Sequence, residues 1–306
     1  MLNSIRSVFT DTLDYLFNMF LSEKTKNRTE LIILMVAIAS FIIHLIVIYL
    51  IDFKIIELND KTNLFINPIA AIYTPFSFIL IYEVYLLIYY LPRSITVYIG
   101  KQYEIMTLIL IRKLFNDLSN LKLTAEWFSV KSDMVFTYHL IATVLLFFLI
   151  SVFYSLNPQK DEKGETKLEI SAGTNLFIRM KKYIATLLVP VFVVVAVYSL
   201  VDWLNLTFFD PSSSFENAPQ IDGIFFDRFF MILILADVLL LLFSFLRTDR
   251  FSTVIRNSGF VISTILIKIS FGTEGLLNNV LVVAAVVFGV TILAIQKRYD
   301  RLELGS

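Results

Sequence analysis

The sequence predicts an all-α, polytopic transmembrane helix bundle of about eight spans, preceded by an N-terminal amphipathic surface helix, and three observations carry that prediction. Hydrophobic residues make up 57% of the 306 and charged residues only 17%, with a mean hydropathy of +0.76. A soluble domain has roughly 45–50% apolar and about 25% charged residues, so this chain carries more apolar surface than a water-soluble fold of its length can bury. The apolar residues also gather into runs close to the ~20 residues that a helix needs to cross a bilayer's hydrocarbon core. Lys and Arg, finally, collect between those runs rather than within them.

Residues 1–30 come first, as an amphipathic interfacial segment. Phe9, Leu13, Leu16, Phe17 and Phe20 fall on one greasy face, while Asp11 and Asp14 interrupt the apolar core that a cleavable signal peptide would need. The transmembrane region then covers 31–296, and a short cytoplasmic tail covers 297–306.

Within 31–296, the runs 31–51, 134–159, 183–201 and 275–296 contain no Asp, Glu, Lys or Arg. Three further runs carry one charge each: Glu83 in 62–92, Asp237 in 229–246 and Lys268 in 257–273. That makes seven spans. Lys24, Lys26 and Arg28 at one end, and Lys297, Arg298 and Arg301 at the other, place both termini in the cytoplasm. An even number of crossings follows, and the eighth falls in 94–115. Because that stretch contains Lys101, Glu104, Arg112 and Lys113, it crosses only if neighbouring helices shield it. The runner-up is seven spans with 101–119 as an interfacial helix, which leaves the basic groups at 24–28 and 93–113 on the wrong side.

The connections follow the same rule. The loop 205–224 has three acids and no base and belongs outside, whereas 160–182 and 247–256 are basic and belong inside. The polar loop 157–173 and the Pro- and Ser-containing loop 209–223 are too short to be domains. Pro68, Pro75 and Pro190 sit in or at the start of spans, which they can kink without ending. Gly272 and Gly275 permit the bend between the last two spans. Tyr82, Tyr85, Tyr89 and Tyr90 fit an interfacial aromatic belt.

Composition narrows function by exclusion. A formal net charge of zero argues against nucleic acid as partner, and the lack of Cys removes thiolate chemistry. No phosphate-binding glycine loop, zinc-ligand spacing or nucleophile motif is present, which points away from a conventional enzyme. Arg247, Arg250 and Arg256 fall at multiples of three, a spacing that resembles the charged helix of voltage-sensor domains, but Thr253 breaks the series and cytoplasmic anchoring accounts for the arginines.

Ionisable groups inside spans are costly and become the candidate site residues. Asp237 lies nine residues, about 14 Å, from the inner end of its span, and Lys268 eleven residues, about 17 Å, from the inner end of the next, counted from residue 257. On that count the two can meet, as a structural pair or as a tuned ion site. Glu83, Lys101 and Glu104 share one inner layer, either lining an ion path or pairing locally, with Lys101 and Glu104 at i,i+3. Three carboxylates among these residues favour a channel or secondary transporter for a small cation or proton, with no cofactor. His44 and His139, the only two histidines, support an alternative, a redox protein holding haem b between them. A non-catalytic membrane scaffold is the third reading. The expected partners are the lipid bilayer and a second copy of the chain in a homo-oligomer, while small residues such as Gly259, Ala284, Ala285 and Gly289 serve equally for packing inside the bundle.

Overall fold

The computed structural model describes residues 2–55, 68–119, 131–157, 172–208, 221–245, 251–273 and 275–304. The loops 160–171 and 209–220, and the expectations for Arg247 and Arg250, lie outside the described residues, as does the side chain of Phe9.

The described chain is helical: α1 (Leu2–Phe20), α2 (Glu23–Asp52), α3 (Tyr73–Tyr90), α4 (Ile95–Ser119), α5 (Lys131–Leu156), α6 (Ala172–Phe208), α7 (Ile221–Phe245), α8 (Phe251–Phe271) and α9 (Gly275–Leu304), with a 3₁₀ turn, Pro68–Ile72, leading into α3. Among the described residues, five helical stretches are long and apolar enough to cross a membrane: Asp11–Asp52, Asp133–Leu156, Ile178–Tyr198, Phe251–Phe271 and Gly275–Leu302. α3 is shorter, 18 residues, or about 27 Å at the helical rise.

Local chemistry sets several boundaries. The Ser22 hydroxyl accepts the Thr25 N–H at 3.2 Å and caps α2, satisfying one of the donors a helix start leaves open. Pro75 sits in the first turn of α3, where the missing N–H costs nothing. Pro190 lies inside α6, which continues through it. Gly275 opens α9 at φ +62°, a left-handed conformation that glycine adopts without steric cost, so the expected bend before the last helix turns on this residue.

Consecutive helices from α2 to α9 run antiparallel, and cross-helix contacts fix their register. At the end of the bundle that carries Leu21, here the near end, the Tyr82 hydroxyl donates to Glu30 at 2.9 Å and the Tyr85 hydroxyl to the Phe20 carbonyl at 2.8 Å. At the far end His44 Nδ1 meets Thr74 Oγ1 at 2.5 Å, and the rings of Phe76 and Phe115 stand 5.1 Å apart. Helix α4 runs in the centre, against α3, α5 and α8.

Helix α1 has two faces along its described side chains. Leu13, Leu16, Phe17 and Phe20 are half-buried while Asp11, Asp14 and Tyr15 are exposed. The apolar face packs on α6, where Lys182 sits over the Phe17 ring at 5.1 Å. The expectation of an interfacial tyrosine belt is corrected on α3. Tyr82, Tyr85 and Tyr89 are buried, where Tyr82 meets Glu30 of α2, Tyr85 the Phe20 carbonyl at the end of α1, and Lys26 of α2 sits over the Tyr89 ring.

Candidate functional site

Helix α4 positions the most connected polar groups. The Gln102 amide bridges two other helices: its Nε2 donates to Asp237 Oδ2 on α7 at 3.3 Å, and its Oε1 accepts the Thr264 hydroxyl of α8 at 2.8 Å. All three side chains are buried. Beside Gln102 in sequence, the Tyr103 hydroxyl lies 2.8 Å from Ser263 Oγ. Ser263 in turn donates to the Ala285 carbonyl of α9 at 2.7 Å, so Tyr103 is the donor to Ser263. Gly289 makes this possible, since a Cβ there would stand 1.7 Å from the Tyr103 hydroxyl.

On the near side of this layer lies a cavity of about 420 Å³. It runs from Leu91 and Ser94, at the α3–α4 connection, to Asp237, the one carboxylate among its described lining residues. Lys181 of α6 and Arg256 of α8 also line it. The Lys181 ammonium donates to the Arg93 carbonyl at 2.9 Å and acts electrostatically on Asp237. Arg256 donates from Nε and Nη2 to Asn257 Oδ1 at 3.2 and 3.1 Å, and Asp300 of α9 acts on it. The Tyr98 hydroxyl is buried beside Asp237.

Asp237 and Lys268 do not form the pair expected from depth counting. The rings of Phe230 and Phe271 meet at 4.9 Å, tilted by 35°, and Asp237 shares Gln102 with Thr264; both contacts put Asp237 level with Thr264. Lys268 lies one turn, about 6 Å, farther toward the far end. The depth count set Lys268 two residues, about 3 Å, beyond the level of Asp237, whereas the register of α7 on α8 makes it four, about 6 Å. The charge acting on Asp237 is that of Lys181 instead.

Glu83, Lys101 and Glu104 are brought together. Lys101 Nζ meets Glu104 Oε2 at 2.6 Å and sits over the Tyr90 ring at 5.3 Å. The Tyr154 hydroxyl donates to the other Glu104 oxygen, and Glu83 of α3 lies within electrostatic reach of both partners. Lys101 and Glu104 line a second cavity, of about 300 Å³, with Tyr154 and Asn157. It shares no lining residue with the first.

His44 and His139 are held by different helices. His44 meets Thr74 of α3, whereas His139 of α5 is buried and pairs through Nδ1 with the Asp117 carboxylate of α4. Neither histidine lines either cavity. No group of three or more His, Cys, Asp or Glu residues able to hold a metal ion occurs among the described residues.

Sequence reasoning missed Gln102, Tyr98, Lys181 and the cavity role of Arg256. Gln102 gave one signal, an uncharged amide in the one candidate span that needed shielding. Lys181 and Arg256 were counted with loop cations, because nothing in the sequence shows that their helices start well before the apolar part. The chain matches no known protein family, no curated protein and no solved structure.

Proposed function

We propose that this chain is an integral membrane secondary transporter coupled to the proton, with Asp237 as the coupling carboxylate, in which α2 to α9 make eight crossings and both termini face the cytoplasm. The observation that carries the reading is the near-end cavity ending at Asp237. The basic residues Lys24, Lys26, Arg28, Lys297, Arg298 and Arg301 belong to the near end, which the charge rule assigns to the cytoplasm.

A cavity that stops at a packed layer supports a transporter over an open channel. Beyond Asp237, the Gln102–Thr264 and Tyr103–Ser263–Ala285 contacts tie α4, α7, α8 and α9 together, so passage requires these helices to rearrange. Protonation removes the charge that makes a buried carboxylate costly to move through a medium of low dielectric. Lys181 and Arg256 further favour the proton over a metal cation. Both repel an approaching metal ion, whereas a proton reaches Asp237 by transfer through water in the cavity.

Flux of protons into proteoliposomes tests the assignment. Asp237→Asn keeps the shape of the side chain and removes its titration, and it is expected to slow pH-gradient dissipation at least about tenfold, as loss of a required proton carrier does. Lys268→Met should leave the rate within about twofold, since Lys268 lies outside the cavity lining. Equal flux through wild type and Asp237→Asn, both monodisperse on gel filtration, removes the proposal and leaves the buried polar groups as the helix–helix ties of a scaffold.

A further inference from the structure

We infer that Gln102 is the positioning residue that reports the protonation of Asp237 to α8, by turning its side-chain amide over when the carboxylate takes up a proton. The inference rests on the proton-coupled reading of Asp237 and names the regulation of that same site.

Three buried side chains share a small set of donors and acceptors: Gln102 of α4, Asp237 of α7 and Thr264 of α8. An ionised carboxylate only accepts, an amide donates from nitrogen and accepts at oxygen, and a hydroxyl has one proton to give. Charged Asp237 therefore has to meet the Gln102 NH2 group, as it does at 3.3 Å. That choice turns Oε1 toward Thr264, which donates to it at 2.8 Å. The Thr264 hydroxyl has a second acceptor within reach, the Phe260 carbonyl one turn earlier, at 3.1 Å.

A proton on Asp237 Oδ2 reverses the demand. The carboxylic acid then points a donor at the NH2 group, and two donors that face each other away from water leave one of them unmade. Half a turn of the amide about its terminal bond, a broad and roughly two-fold torsion, removes the conflict. Oε1 now accepts from Asp237, Nε2 donates to Thr264 Oγ1, and the Thr264 hydroxyl swings its proton to the Phe260 carbonyl. All three side chains are satisfied in both arrangements, which is what a buried carboxylate that alternates between charged and neutral requires.

The exchange takes place beside the tie that has to open. Tyr103 follows Gln102 on α4 and Ser263 precedes Thr264 on α8, and these two join α4 to α8 and, through the Ala285 carbonyl, to α9. The other groups that act on Asp237 are Tyr98 of α4 and Lys181 of α6, with Arg256 of α8 in the same cavity lining. Gln102 is the neighbour that bonds both Asp237 and α8.

Infrared difference spectra of the full chain in phosphatidylcholine liposomes, acidic minus alkaline, test this. Acidification is expected to add a carboxylic acid C=O band that Asp237→Asn lacks. With it should come a shift of one glutamine amide C=O band, as Oε1 exchanges Thr264 for Asp237 as its donor. Isotope-labelled glutamine assigns the band to that residue type in the wild-type chain, and its loss in Gln102→Met assigns the position. The shift should also vanish in Asp237→Asn, where nothing titrates. Thr264→Val keeps the shape but leaves Oε1 without its donor at alkaline pH, so the alkaline band should move toward that of a free carbonyl, and Thr264→Ser should restore it. Gln102→Met serves neither form of Asp237 and should slow proton flux about fivefold or more, the scale of one lost hydrogen bond, while Thr264→Ser stays within about twofold. An amide band that stays in place while Asp237 titrates, or the same amide shift in Asp237→Asn, overturns the inference and leaves the proton-coupled reading standing. Both bands in a chain that passes no protons remove the transport reading and leave the amide exchange, whereas absence of the Asp237 band removes both.

Discussion

Helices α2 and α4 invert the rule that governs soluble proteins. Over 31–51, α2 carries no charged residue, yet Met35, Ile38, Ile42, Ile43 and Ile46 are exposed. Helix α4 carries Lys101, Glu104, Arg112, Lys113 and Asp117, yet it buries Gln102, Tyr103, Thr107 and Arg112. The physical reason is the solvent. Lipid tails are as apolar as Leu, so burying an apolar side chain between helices gains no hydrophobic free energy relative to lipid. Polar side chains have no partner in lipid and are driven into the centre, where other helices satisfy them. Hydropathy therefore marks the perimeter of this bundle, and polarity its axis.

Substitutions can break or sharpen that contrast. The largest effect is expected on α2: Ile43, 60% exposed, replaced by Arg should cost about 3 kcal/mol of membrane insertion, read as the membrane-integrated fraction in a translocon assay. If the arginine inserts as readily as isoleucine, α2 does not face lipid and the comparison fails. On α4 the sign of the rule reverses. Gln102→Leu makes the helix more apolar but leaves Asp237 and Thr264 without their bridge, at a cost of about 2 kcal/mol, seen as a lower Tm in detergent. The double variant Gln102→Leu with Asp237→Leu should recover part of that loss, because removing both partners costs less than stranding one.

A smaller effect is expected where α4 meets α9. Gly289→Ala drives a methyl group into the space of the Tyr103 hydroxyl and should cost about 1 to 2 kcal/mol. Tyr103→Phe in the same chain removes the closest contact and leaves the ring Cζ at 2.8 Å, so the pair should recover part of the loss of Gly289→Ala; a pair no better than the single variant would place the strain elsewhere. The smallest effect belongs to Lys101→Met. The Lys101–Glu104 side chains are 22% and 31% exposed, and a partly exposed i,i+3 pair of this kind contributes under about 1 kcal/mol. A larger loss of stability would mean that the second cavity's polar group is a structural tie in its own right.

The need of 94–115 for shelter was legible from Lys101, Glu104, Arg112 and Lys113, and the structure sets α4 between α3, α5 and α8, although α4 is not among the five stretches apolar enough to cross by composition. Asp237 was also legible as a candidate, because one carboxylate in the run 229–246 stands out against its background. Its surroundings were not. The signal for Gln102 was weak, since an amide is common in any helix, and Lys181 and Arg256 read as anchors at the margins of apolar runs.

By itself the sequence determined the helical class, the stretches apolar enough to cross a membrane and the ionisable groups that have to be accommodated, because each follows from side-chain polarity summed over windows of about 20 residues. Tertiary structure alone decided the partners. It set Asp237 against Gln102 and Lys181 rather than Lys268, gave each histidine a different neighbour, and gathered Lys181, Arg256 and Asp237 around one cavity. A helix advances about 1.5 Å and turns about 100° per residue, so a difference of two residues in the register of α7 on α8 changes both the depth and the facing of the side chains that meet, and window-averaged polarity contains neither.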